Sequence, residues 1–140
     1  MPGKAKILIV DDAPDFVYAM RGFLEDLGYD VVEAYDGNEA LEVLQREGPE
    51  LLLLDVIMPL MDGWETLSVV RGRPQWRRLP VIMLTALDEP QHIMESYDRG
   101  CTDHISKPIE DYDQLGLIIE RLLEVAASDE PEAPPANDDW

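Results

Sequence analysis

Short runs in this chain are apolar at every position: Ile7-Leu8-Ile9-Val10, Leu51-Leu52-Leu53-Leu54 and Val81-Ile82-Met83-Leu84. A strand with one wet face alternates polar and apolar residues, whereas a strand apolar throughout must be covered on both sides. Such runs suit the middle of a parallel sheet. Between them the pattern changes to the period of a helix. Phe16, Met20, Phe23 and Leu27 fall at i, i+4, i+7 and i+11 and mark one face of a helix expected over 14–27. Pro14 sits in its first turn and Gly28 is its natural stop. Gly22 weakens this helix by about 1 kcal/mol relative to Ala.

The same cycle recurs along the chain. A strand is expected over 30–35, a turn at Asp36-Gly37-Asn38 and a helix over 39–47 closed by Gly48-Pro49. The strand 51–54 follows, then a loop with Pro59 and Gly63 and a helix over 64–71. Pro80 opens the strand 81–84, which runs into Thr85. Asp88 is expected to cap a helix reaching Arg99, and Gly100 ends it. A short strand over 102–105 leads through Ser106-Lys107-Pro108 to a last helix over 111–126. Alternating strands and helices of this length imply a parallel sheet with helices on both faces and right-handed crossovers. The expected fold is α/β: a flavodoxin-like, doubly wound five-stranded sheet in the order 2-1-3-4-5, with five helices.

The 140 residues suffice for one folded domain, expected over 1–127. Residues 128–140 differ in character, with three prolines, five acids and no base. They read as a disordered, solubilising tail or, alternatively, as a docking segment with Trp140 as its anchor. Lys and Arg number 11 against 30 Asp and Glu, a net charge of −19. That balance opposes binding to nucleic acid or to an anionic membrane surface. No apolar run approaches the roughly 20 residues of a membrane span. Met1 to Lys6 reach the first strand too soon to hold a signal peptide. Cys101 is alone, so no internal disulfide forms. A cytoplasmic protein with protein or small-ion partners is expected.

In doubly wound sheets ligands bind beyond the carboxyl ends of the strands. Those ends carry Asp11 and Asp12, Asp55, Thr85 and Lys107. Carboxylates gathered there repel one another unless one is protonated or a hard divalent cation joins them. Mg²⁺ fits, because it takes one or two carboxylates and keeps waters and phosphate oxygens as further ligands. A carboxylate can also attack phosphorus to form an aspartyl phosphate. Lys107 would supply a cation and Thr85 a hydroxyl, while small Ala86 would let a phosphoryl group approach the backbone. Taken singly, paired acids after a strand are more often a helix cap, and a lone Lys-Pro a turn.

The segments Ile-Leu-Ile-Val-Asp-Asp-Ala-Pro-Asp, Leu-Leu-Leu-Leu-Asp-Val-Ile-Met-Pro-Leu-Met-Asp-Gly, Pro-Val-Ile-Met-Leu-Thr-Ala and Ile-Ser-Lys-Pro resemble the receiver (CheY-like) domain of two-component response regulators. The resemblance runs over about residues 4–126. It implies a stand-alone, phosphorylatable response regulator, with Asp55 as the phosphoacceptor. The donor it implies is a sensor histidine kinase or a histidine phosphotransfer protein. Asp12, Asp55 and the backbone carbonyl of Ile57 would bind Mg²⁺, with Asp11 acting through a metal-bound water. Thr85, Ala86 and Lys107 would meet the phosphoryl group. His104 occupies the place of the family's switch aromatic, and the Lys107–Pro108 bond would be cis. Output would pass by protein contact through helix 4, strand 5 and helix 5 to an unnamed target, from a monomer or a phosphorylation-dependent dimer. The implied domain is not an enzyme beyond promoting its own phosphorylation and dephosphorylation.

Other readings stay open beside this one. His104 also reads as a surface histidine near a strand end, and His92 as a solvated helix residue. Val17 and Leu24, beside the stripe of helix 1, are core edge or part of a docking face. Arg71, Arg73, Arg77 and Arg78 surround Trp76 and form a solvated loop or a dock for an acidic partner, this chain's own tail included. Ile57 and Leu87 stand where a hydrolytic water would be oriented, and both are apolar. A haloacid-dehalogenase-type phosphatase would need a second aspartate at position 57. A flavodoxin-like electron carrier would need a phosphate cradle where Asp11-Asp12 stand. A phosphate shuttle within a relay, or an interaction module independent of phosphorylation, would keep the same fold.

Overall fold

A computed structural model describes residues 5–128. Five parallel strands alternate with five helices: β1 Lys6–Val10, α1 Pro14–Asp26, β2 Asp30–Ala34, α2 Gly37–Glu47, β3 Leu51–Leu54, α3 Gly63–Gly72, β4 Val81–Thr85, α4 Pro90–Asp98, β5 Asp103–Ser106 and α5 Tyr112–Ala127. A single 3₁₀ turn, Pro74–Trp76, interrupts the α3–β4 connection. The sheet order is β2-β1-β3-β4-β5, as the sequence pattern implies.

The continuously apolar strands are buried on both faces because their side chains alternate between two cores. Leu8, Val10, Leu52, Leu54, Val81 and Met83 point to one layer, where they meet Ala40, Val43 and Leu44 of α2 and Leu67 and Val70 of α3. Ile7, Ile9, Leu51, Leu53, Ile82 and Leu84 point to the other, against Val17, Met20 and Leu24 of α1 and Leu115 and Ile119 of α5. Each fully buried Leu or Ile contributes about 1.5–3 kcal/mol from water exclusion. α4 is the exception, since Ser96 is its one buried residue.

Local signals set most helix starts. Asp36, Asp62 and Asp111 each accept a backbone N–H of the first turn, and Asp62 with Glu65 forms a reciprocal capping box. Asp88 does not cap α4: Glu89 occupies that place without a side-chain bond, and Pro90 opens the helix. The buried stripe of α1 also differs from the expected one. Val17, Met20 and Leu24 face the sheet, while Phe16 and Phe23 lie at its margins and Leu27 is exposed. Val17 and Leu24 are therefore core, with no part in a docking face. Residues 129–140, which are the expected disordered tail apart from Ser128 and include Trp140, lie outside the described residues.

Gly63 fixes the loop that leaves β3. A Cβ at that position would come within 2.0 Å of the Asp55 carbonyl oxygen and 2.8 Å of the Val56 Cα. Both neighbours are backbone and cannot turn aside. Gly22 lies exposed in α1 with open space around it. Gly63→Ala is expected to destabilise the fold by about 1–3 kcal/mol. Gly22→Ala is expected to stabilise it by about 0.5–1 kcal/mol. Urea-unfolding midpoints measure both, and shifts of the same sign would refute the steric account of Gly63.

Candidate functional site

The strand register assembles the site. Val10 of β1 lies directly beside Leu54 of β3, so the residues that follow, Asp11 and Asp55, leave the sheet side by side. Thr85 of β4 pairs with Ser106 of β5, so Lys107 emerges one residue further on. No local motif could bring these groups together; the parallel sheet does.

Carboxylate oxygens of Asp11, Asp12 and Asp55 lie within 4.8 Å of one another. Asp11 is 2% exposed and Asp55 7%, while Asp12 faces solvent. The Lys107 Nζ donates to Asp11 Oδ2 at 2.5 Å and to Asp55 Oδ2 at 3.0 Å. It also stands 4.1 Å from the centre of the Phe16 ring. Backbone amides supply further donors. Ala13 N–H donates to Asp11 Oδ1 at 2.9 Å, and Ile57 N–H to Asp55 Oδ1 at 3.3 Å.

Burial pushes the Asp11 carboxyl above its ordinary range, against the pull of Lys107 and the Ala13 amide. Burial alone would lower the Lys107 ammonium, but its hydrogen bonds to Asp11 and Asp55 carry it above its ordinary value. Burial dominates at Asp11, and two carboxylate hydrogen bonds together outweigh burial at Lys107, in a cleft that gathers three carboxylates around one ammonium. The cleft therefore attracts further positive charge, whether as a proton or as a cation. Three oxygen donors with a solvent-facing member suit a hard divalent ion that keeps some of its water.

Thr85 is fully buried, and its Oγ1 accepts the Leu87 N–H at 3.3 Å. Ala86 is exposed at the rim. Ile57, two residues beyond Asp55, is 53% exposed, and Leu87 is half-buried. The Lys107–Pro108 peptide bond is cis.

His104 is half-buried, with both ring nitrogens engaged. Nε2 lies 3.0 Å from the Leu87 carbonyl oxygen and Nδ1 lies 3.1 Å from Ser96 Oγ. A carbonyl only accepts, so the neutral ring carries its hydrogen on Nε2, and Nδ1 faces the Ser96 hydroxyl as an acceptor, sharing that single hydrogen with the His92 carbonyl, 3.2 Å from Ser96 Oγ. Ser96 Oγ in turn accepts the Trp64 indole N–H at 3.0 Å. This chain joins α3, α4, β5 and the segment after Thr85. Reading the sequence missed Trp64 and Ser96. The available signal was a serine three residues after Ile93 on the apolar side of α4. His92 is half-buried beside Trp64, with ring centres 6.0 Å apart, rather than solvated.

Such a cleft on such a sheet defines a class: a doubly wound α/β domain with an acidic, lysine-bridged pocket at the carboxyl edge. Comparison with known proteins narrows it. The family model of the response regulator receiver domain matches residues 7–120. An uncharacterized 14.6 kDa protein of Leptolyngbya boryana is 40% identical over 117 residues, covering 84% of this chain and 89% of that one. The chain spans between 19% and 51% of the length of other curated relatives. Among solved structures, the signal receiver domain of a histidine kinase from Syntrophus aciditrophicus superposes with a TM-score of 0.83 at 34% identity, covering 92% of this chain and 97% of that one. The receiver domain of sensor histidine kinase PA1611 from Pseudomonas aeruginosa gives 0.80 at 28% identity, covering 87% and 99%, and has a magnesium ion coordinated in its active site cleft. The chain belongs to the response regulator receiver domain family, a signalling family of two-component systems whose members are phosphorylated on aspartate.

Burial pushes the His104 imidazole below its ordinary 6.5, against the pull of the Leu87 carbonyl and of Asp103 and Asp88. The unfolded chain takes up a proton at this ring near pH 6.5 and the folded chain does not. The neutral ring's stabilisation is thus present above pH 6.5 and lost as the pH falls toward the lower folded value. Followed by NMR in the native chain, the His104 ring should titrate below 6.5; a midpoint at or above 6.5 would show that burial does not outweigh the Leu87 carbonyl and the two aspartates.

Proposed function

We propose that Asp55 accepts a phosphoryl group from a phosphohistidine of a sensor histidine kinase or a histidine phosphotransfer protein. The observation that carries this is the Lys107 ammonium held between two buried carboxylates, with a third alongside. An Asp55 carboxylate oxygen attacks phosphorus, the P–N bond breaks, and the donor imidazole leaves with the bond's electrons. Thr85, Ala86 and Lys107 receive the phosphoryl oxygens: Lys107 offers charge, Thr85 its hydroxyl, and Ala86 an unobstructed backbone. Asp12, Asp55 and the Ile57 carbonyl would hold Mg²⁺, with Asp11 acting through a water. When bound, that ion supplies positive charge for the phosphoryl oxygens. On this reading the domain's only catalysis is on itself.

Output then passes through α4, β5 and α5. Thr85 turns toward the phosphoryl group, and the bridge from Leu87 through His104 to Ser96 responds. Support comes from the weak anchorage of α4, which buries only Ser96. An element with few buried contacts shifts at low cost. A downstream protein would read the altered surface. No described helix is long and apolar enough to cross a membrane; with the chain's strong net negative charge, this favours a cytoplasmic setting for the exchange.

Intact mass after incubation with acetyl phosphate tests the chemistry. One added phosphoryl group is expected with Mg²⁺, none with chelator, and none in Asp55→Asn. Lys107→Ala should slow uptake on the order of 10²-fold. No adduct even with beryllofluoride, a stable phosphoryl mimic, would replace this reading with a phosphorylation-independent interaction module. Since Ile57 and Leu87 give a hydrolytic water no hydrogen-bonding partner, the purified phosphoprotein should decay slowly; loss within seconds would contradict that.

A further inference from the structure

The other end of the sheet carries a groove of about 660 Å³ that the phosphoryl chemistry does not use. Arg71, Arg77 and Arg78 line one side, Leu122 and Val125 of α5 the other, and Ser128 its rim. In a chain of net charge −19 this is a concentrated cationic surface. Arg71 is its fixed point. Its guanidinium donates to the carbonyls of Gly100 at 2.7 Å, Trp76 at 3.1 Å and Arg77 at 3.3 Å. All of these acceptors are neutral, and burial lowers its pKa from the ordinary value. Among the described residues no carboxylate stands within ion-pair distance of Arg71, Arg73 or Arg77. Val125 adds an uncovered apolar floor.

We propose that the segment after Ser128, residues 129–140, folds back into this groove and covers its arginines. The segment begins at the groove's rim, because α5 ends at Ala127 and Ser128 lines the cavity. Twelve residues reach roughly 40 Å when extended, so length is no obstacle. Asp129, Glu130, Glu132, Asp138 and Asp139 supply five carboxylates and no base opposes them. Carboxylates pair with guanidinium through two parallel hydrogen bonds, stronger than neutral contacts. Pro131, Pro134 and Pro135 limit the entropy lost on ordering. Trp140 offers a ring for an arginine face, as Trp76 already does for Arg73 at 5.4 Å. Covalent attachment places the segment at an effective concentration in the millimolar range, which an unattached acidic partner must exceed.

The test uses the full chain labelled with ¹⁵N. Heteronuclear NOE values are measured for the amides of residues 129–140 and the indole N–H of Trp140. The wild-type values should approach those of α5 and fall to coil values in high salt. Arg77→Glu with Arg78→Glu should release the segment, and so should neutralising its five acids to amides. The second variant leaves the folded body untouched, so failure to fold cannot mimic release. Coil values in the wild-type chain at low salt would overturn the proposal and leave the groove to an external acidic partner. Ordering that vanishes on dilution would also overturn it, in favour of the segment of a second copy.

Discussion

The ammonium of Lys107 between Asp11 and Asp55 is the interaction on which this structure turns. Burying a carboxylate without a partner costs several kcal/mol, and here two are buried side by side. The apolar strands below supply the stability that lets the cleft hold them. The cation makes their proximity tolerable without removing the excess of negative charge. A cleft with more carboxylates than cations is poised to take another cation, and the exposed Asp12 carboxylate stands at its mouth.

The strands and their order were legible because runs such as Leu51–Leu54 allow no wet face, and because the residues after them are polar and few. The convergence of Asp11, Asp12 and Asp55 followed from topology alone. The orientation of α1 was not legible. Phe16, Met20, Phe23 and Leu27 form one stripe and Val17, Met20 and Leu24 a neighbouring one, and a 3.6-residue period cannot choose between stripes that share Met20. Packing chooses: the aromatic rings sit at the margins, Phe16 over Lys107 and Phe23 edge-on to Tyr112 with ring centres 5.0 Å apart. The start of α4 was misplaced by one residue, since Asp88 is an attractive cap but Pro90 sets the first turn. The Trp64–Ser96–His104 chain could not be read, because it joins residues from three elements through single hydrogen bonds that leave no periodic trace.

That polar chain and the loose seating of α4 belong together. An element packed by many apolar side chains has one position. An element held by a hydroxyl, an imidazole and an indole N–H keeps its place through those particular hydrogen bonds. The neighbourhood of Thr85 thus connects the sheet to the helix with the fewest buried residues.

The bond between Lys107 and Asp11 spans 96 residues of chain. Synthesis runs from the amino end, so Asp11, Asp12 and Asp55 all leave the ribosome well before their counter-ion does. Until β5 has been made and has paired beside β4, the nascent domain carries its carboxylates without the lysine that reconciles them. Assembly of the cleft is consequently a late event in the birth of the molecule, and a chain cut short between residues 55 and 107 has the acids but never the site.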